Sequence, residues 1–319
     1  MPSRYSLVLP CLAKFLLISI SHGLRLALDD FLNERQLFHK SISKEIFMNT
    51  KFTCPKCSLP LTILDGGCAK CSRGHTYDRS RDGYYNLLLS NAPRHGDNRE
   101  MVVARRNFLD TGAYSPLAKR VSELSLEYFA ENGAVLDVGC GAGYYTDMVE
   151  RNAREEKRPF SLFGFDISKD AVRLAAKRNP HLSLAVASAY KMPFSDEAFD
   201  GVLNLFSPLA LTEIVRVLRK SAHFIMAIPA ENHLFGLKSA IYETPYKNEV
   251  KDTALEGLTL VASEKISYEI TLTGKEQISS LFMMTPYAYR TRKEDSERVL
   301  SLDRLTTEVE FILFVYKKD

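Results

Sequence analysis

Residues 134–146 read AVLDVGCGAGYYT. The apolar residues around Asp137 predict a short buried strand, Ala134–Val138, that runs into Gly139, Gly141 and Gly143 and then into a helix. Glycines let a backbone turn sharply and approach a ligand closely. A second strand, Ser161–Phe165, ends in Asp166. A carboxylate at that position suits a ribose diol, because it can accept from both hydroxyls. Working outward, Leu182–Val186 reads as a third strand followed by Ser188, and MPFSDEAFD (residues 192–200) leads into a fourth, Gly201–Leu205. That strand ends in NLFSP (Asn204–Pro208). A helix over Leu211–Leu218 and a fifth strand over His223–Pro229 follow. Residues 258–273 and 306–316 alternate as a closing antiparallel pair. The fold class is α/β: a Rossmann-like, mostly parallel sheet of seven strands.

The glycine loop and acidic strand end also fit a nicotinamide dinucleotide, which is the alternative. Two details favour S-adenosylmethionine. The D-x-G-x-G-x-G form places Asp137 where a cationic methionine moiety would sit. The peptide P-F-x-D-x-x-F-D (Pro193–Asp200) resembles the segment before strand four of class I S-adenosylmethionine-dependent methyltransferases. In such enzymes the strand-four loop sets the acceptor base beside the donor.

The chain has 319 residues, 45% hydrophobic and 25% charged. This excludes a mainly disordered chain, a collagen-like repeat and a disulfide-rich miniprotein. Four of six cysteines, Cys54, Cys57, Cys68 and Cys71, fall within 18 residues. That clustering reads as a metal site in a reducing compartment. Zinc takes four ligands in a tetrahedron, and five candidates are present. Cys54 and Cys57 form one pair. The other is Cys68 with Cys71, which spacing alone favours, or Cys71 with His75. So small a segment has too few apolar residues for its own core, so the metal would supply folding energy. Residues 51–107 carry ten basic and five acidic groups, an excess of +5 against +3 for the whole chain. The whole-chain charge alone implies no nucleic-acid partner, but basic charge gathered around the metal module is what phosphate contact requires. Tyr77, Tyr84 and Tyr85 are either ribbon core or base-stacking platforms.

Residues 1–47 contain no uninterrupted apolar run near the roughly 20 residues a membrane span needs. A secretory signal beginning at Arg4 is the lesser alternative. We expect an extension outside the fold, with Met48 as the working start. The remaining divisions are a zinc ribbon over 48–90, a linker with lead-in helices over 91–132 and the catalytic domain over 133–319. Ser115 is the expected N-cap of the second lead-in helix, with Pro116 at its first position. The aromatic, methionine-rich segment Ser280–Arg290 is either core or, through Tyr287 and Tyr289, a cage for a flipped base.

Further runs carry a closer resemblance: DGYYNLL (82–88), ARRNFLDTGAYSPL (104–117), HLFGLKSAIY (233–242) and MTPYAYR (284–290). With the ribbon and the glycine loop, the chain from about Met48 onward resembles the bacterial 23S ribosomal RNA (guanine-N1)-methyltransferases. The resemblance implies zinc on Cys54, Cys57, Cys71 and His75, leaving Cys68 spare. It implies donor contacts at Tyr114, Tyr145, Thr146 and His233, joining Asp137, Gly139, Gly141 and Asp166. It also implies a cytoplasmic enzyme, 23S ribosomal RNA as partner, a homodimer, and guanine 745 rather than 748 as target. No proton acceptor is named. The segment Arg219–Phe224 departs from the family's Lys-Pro-Gly-Gly turn. The alternatives are a small-molecule methyltransferase with a structural ribbon, or an RNA-binding protein without activity.

Overall fold

All five residues of Ala134–Val138 are buried, as expected of a strand covered on both faces. The computed structural model describes residues 50–89, 96–250 and 253–319, so the expected extension, residues 1–47, lies outside the described residues. In chain order the strands are β1 (Thr62–Ile63), β2 (Ala69–Lys70), β3 (Thr76–Tyr77), β4 (Tyr85–Asn86), β5 (Ala134–Val138), β6 (Ser161–Asp166), β7 (Ser183–Val186), β8 (Phe199–Leu205), β9 (Leu218–Pro229), β10 (Leu258–Thr273) and β11 (Arg304–Lys318). β1, β2 and β3 form a small antiparallel sheet. The others form one sheet in the order β10-β11-β9-β8-β5-β6-β7-β4. Its order reverses at β5 and β8, so the carboxyl end of β5 opens at a topological switch point, where such sheets bind ligands.

The large sheet has eight strands, not the seven the sequence predicts. The extra one is β4, whose Tyr85 and Asn86 pair in parallel with Ala185 and Val186. The Leu87 N–H then donates to Val186 O at 2.9 Å. Two residues leave no periodicity to read, and the pairing is with a strand about a hundred residues away. Strand bounds elsewhere shift slightly. β9 starts at Leu218 because Arg219–Ala222 bulge opposite Asp200, with Ser221 at φ +62°.

The helices are α1 (Arg99–Asp110), α2 (Ser115–Tyr128), α3 (Tyr144–Glu155), α4 (Lys169–Arg178), α5 (Leu211–Val217), α6 (Phe235–Ile241), α7 (Lys275–Met283) and α8 (Lys293–Leu300). α2 begins one residue earlier than expected: Tyr114, not Ser115, is its N-cap, and Pro116 is its second residue. The aromatic, methionine-rich segment Ser280–Arg290 is the end of α7 followed by a short 3₁₀ turn, Pro286–Tyr289.

One face of the sheet is covered by α1–α4 and α6–α8. On the other, α5 is joined by the ribbon. A parallel crossover usually supplies a helix, but residues 187–198, between β7 and β8, contain none. The ribbon fills that place. Phe52 stacks on Phe194 at 5.3 Å and meets Phe163 edge-on at 5.8 Å. The Thr53 N–H donates to Pro193 O at 2.7 Å. Leu61, Ala69 and Cys71 are buried in the same cluster. Lys51–Asp319 is accordingly one compact unit.

Candidate active site and zinc centre

The ribbon's ligand set follows from strand pleating. Successive side chains on a strand face opposite ways, so Cys71 shares a buried face with Ala69, while Cys68 shares the other face with exposed Lys70. Cys68 Sγ reaches only Ala69 O, at 3.8 Å. Cys54, Cys57, Cys71 and His75 converge instead, their ligand atoms all within 4.8 Å of one another. The spacing argument for Cys68 is therefore overturned. His75 Nδ1 lies 3.4, 3.5 and 3.4 Å from the sulfurs of Cys54, Cys57 and Cys71, and the Cys57 and Cys71 sulfurs are 3.7 Å apart. A zinc tetrahedron with bonds of about 2.3 Å to sulfur and about 2.0 Å to nitrogen has edges of roughly 3.5–3.8 Å. The donor set fits one zinc ion. Burial opposes ionisation of Cys54, but hydrogen bonds from Tyr77 Oη at 3.2 Å and from backbone N–H groups hold its thiol down at about 6. That favours the thiolate a metal needs.

The second centre lies at the carboxyl ends of β5 and β6. Gly139 (φ +73°) must be glycine, since a Cβ there would stand 2.4 Å from Ser207 Cβ. A Cβ at Gly141 would meet nothing within 4 Å, so the loop is open on that side. The Gly141 N–H donates to Asp166 Oδ2 at 3.1 Å, and the Ser168 N–H to Oδ1 at 2.8 Å. These bonds fix Asp166 at the rim, although burial raises its pKa. The pair between Arg105, in the middle of α1, and Asp97, just before that helix, lies close enough to influence Asp166. Asp137 is fully buried and its carboxyl is pushed up to about 7 by that burial. The Thr146 hydroxyl donates to Asp137 Oδ2 at 2.5 Å, so this side chain is committed to the carboxylate.

The remaining expected contacts form an aromatic wall. Tyr114 Oη lies 3.4 Å from His233 Nε2. Phe311, on β11, packs 5.3 Å from Tyr114 and 4.2 Å from His233, ring centre to centre. The Glu310 N–H donates to His233 Nδ1 at 3.2 Å. That bond needs a neutral ring with its hydrogen on Nε2. Burial, helped by nearby Lys238, lowers the His233 pKa to about 3 and keeps it neutral. Tyr145 Oη is buried with no hydrogen-bond partner among the described residues. An orphaned buried hydroxyl calls for a polar ligand. This hydroxyl, the open glycine loop and Asp166 fit S-adenosylmethionine.

Tyr287 lies 6.4 Å from Tyr242 and 5.7 Å from Lys238 Nζ, and close enough to Tyr114 to influence it, while Tyr289 is exposed. Sequence reasoning misses Phe206, Phe311 and Arg105. Phe206 lies inside the NLFSP peptide already singled out. Arg105 lies inside the ARRNFLDTGAYSPL run already quoted. Phe311 carries no local signal, because it reaches the site only through tertiary packing.

Comparison with known proteins agrees with this construction. A family model described as "RlmA, N-terminal", a zinc ribbon, matches residues 52–92, and one described as "Methyltransferase domain" matches 135–224. The "23S rRNA (guanine(748)-N(1))-methyltransferase" of Streptomyces fradiae is 36% identical over 192 residues, covering 59% of this chain and 66% of that protein. The "Putative 23S rRNA (guanine-N(1)-)-methyltransferase YxjB" of Bacillus subtilis (strain 168) is 31% identical over 252 residues, covering 76% and 88%. Another relative, from Micromonospora griseorubida, is 29% identical over 261 residues, covering 75% and 86%. The chain therefore belongs to the 23S ribosomal RNA (guanine-N1)-methyltransferase family, with a class I S-adenosylmethionine-dependent core and an N-terminal zinc ribbon.

Proposed function

We propose that this protein methylates N1 of guanine 745 or guanine 748 in 23S ribosomal RNA. The observation that carries the reading is similarity across 88% of the Bacillus subtilis relative, in a chain that pairs the ribbon's zinc set with an intact donor cradle. Overall resemblance favours guanine 745. The name of the Streptomyces fradiae relative favours 748. A ribosomal substrate implies work in the cytoplasm, and no helix among the described residues is long and apolar enough to cross a membrane. A homodimer would widen the RNA-binding surface.

When bound, S-adenosylmethionine supplies an electrophilic methyl group, which N1 of guanine attacks in line. Neutral guanine carries a proton on N1, which must leave before or during attack. His233 is not its acceptor, because Nδ1 is engaged by the Glu310 N–H and Nε2 carries the ring hydrogen. Its role is to brace Tyr114 in the wall. Asp166 would hold the donor's ribose, and Tyr145 Oη would give its free hydrogen bond to a donor polar group. Holding donor and base in line accounts for much of the acceleration such sites achieve.

Primer extension on 23S ribosomal RNA from cells with and without the gene tests the reading. N1-methylguanine cannot form a Watson–Crick pair, so it stops reverse transcriptase. The expected result is a stop at guanine 745 or 748 that disappears on deletion. Identical profiles at both positions would overturn the assignment and advance a small-molecule substrate.

A further inference from the structure

The loop after β8 holds one side chain in a costly arrangement. Phe206 has φ +66°, a left-handed conformation that bulky L-residues rarely adopt. The residue is 42% exposed, and among the described residues it is the one exposed phenylalanine. The backbone on either side is locked. Asn204, 2% exposed, donates through Nδ2 to Ser207 Oγ at 2.9 Å and to Pro208 O at 3.3 Å. Ser207 Oγ in turn donates to Val138 O at 2.6 Å, tying this loop to the strand that carries the donor cradle. The Phe206 ring leans on Phe311 at 4.8 Å and lies 6.0 Å from Tyr145. It therefore packs on Phe311 beside the donor site while part of its surface faces solvent. A strained, over-determined residue that exposes apolar surface beside a reaction centre loses stability that folding alone would not sacrifice.

We propose that Phe206 is the stacking platform for the target guanine, the flat surface that receives the base once it leaves the RNA stack. This rests on the methyltransferase reading above and adds a positioning residue to it. Unpaired bases bind aromatic faces readily, and the tied loop fixes the plane relative to β5, as in-line transfer requires. Phe206 need not recognise guanine edges. It sets the height and tilt of the base.

The test uses the full-length zinc-loaded protein and the 23S fragment that the wild type methylates. Donor affinity by calorimetry, kcat/KM for methyl transfer and RNA affinity are measured for F206A, F206L, F206Y and F206W. RNA affinity is measured again on the same fragment with an abasic site in place of the target guanine. The expected result is unchanged donor affinity and a fall in kcat/KM of roughly 5- to 150-fold for F206A, the range for deleting one stacking partner. F206L, which keeps apolar bulk but no aromatic face, should fall similarly, and F206Y and F206W should recover most of the rate. On abasic RNA the wild type and F206A should bind equally. A loss for F206A that persists on abasic RNA, a loss of donor affinity, or full activity in F206A would each overturn the platform. A wild type that methylates no 23S fragment would remove the ribosomal reading itself, and the guanine platform with it.

Discussion

Asp137 illustrates how a single buried group links stability to function. Its carboxyl is pushed from 3.8 in the unfolded chain to about 7 in the folded one by burial, with Thr146 as a partial counterweight. The folded state thus holds an extra proton between those values, so this group's contribution to stability falls as pH rises from about 4 to about 7. Below that window it imposes no penalty. A cationic donor favours the ionised form, so donor binding below pH 7 should release a proton. Calorimetry in buffers of different ionisation enthalpy should show that release in the wild type and not in D137N. The same substitution keeps an acceptor for the Thr146 hydroxyl while removing a buried charge. D137N should therefore melt higher than the wild type at pH 8 yet bind the donor more weakly. Equal melting and equal affinity would show that Asp137 stays protonated throughout.

At the scale of elements, the ribbon replaces a helix. Parallel sheets need both faces covered, and Phe52 with Leu61 and Ala69 does this over β6 and the residues around Phe194. Zinc removal should therefore lower the melting temperature of the whole chain in one transition, followed by calorimetry with and without chelator. F52A should destabilise that same transition by about 3–5 kcal/mol, the usual cost of deleting a buried aromatic. A separate early transition, with the main one unmoved, would show that the ribbon melts alone. Little of this docking can be read from sequence. The glycine loop and the strands around it were legible because a short, mostly apolar run that ends in a glycine-rich turn leaves few options. β5 matches its expected bounds residue for residue. β4 was not legible, because two residues carry no pattern. Spacing alone does not choose between Cys68 and His75. The family resemblance does, and the register of β2 supplies the reason, since pleating turns Cys68 away.

On the whole molecule, charge is arranged in two layers. The ribbon's inner face is apolar, while Lys56, Lys70, Arg73, Arg79 and Arg81 are exposed elsewhere on its surface. Across the junction Asp82 pairs with Arg173 at 3.1 Å and with Lys177 at 3.7 Å, which ties the ribbon to α4. Replacing Arg73 and Arg81 with alanine should weaken RNA binding and spare donor binding. The slope of log affinity against log salt should fall by about 0.7–0.9 for each phosphate that is no longer neutralised. An unchanged slope would place the RNA elsewhere.

The ribbon's docking also bears on how the chain is made. Phe52 leaves the ribosome roughly 140 residues ahead of Phe194, its stacking partner. At ordinary synthesis rates of about 5–20 residues per second, that gap is on the order of ten seconds. During it, the four zinc ligands are available but the surface that buries their apolar side is not yet translated. Metal capture can thus come first, as a local event, and seating on the sheet last, as a long-range one. A cell short of zinc would then accumulate chains whose finished sheet has one face open, and those are the chains most prone to aggregate.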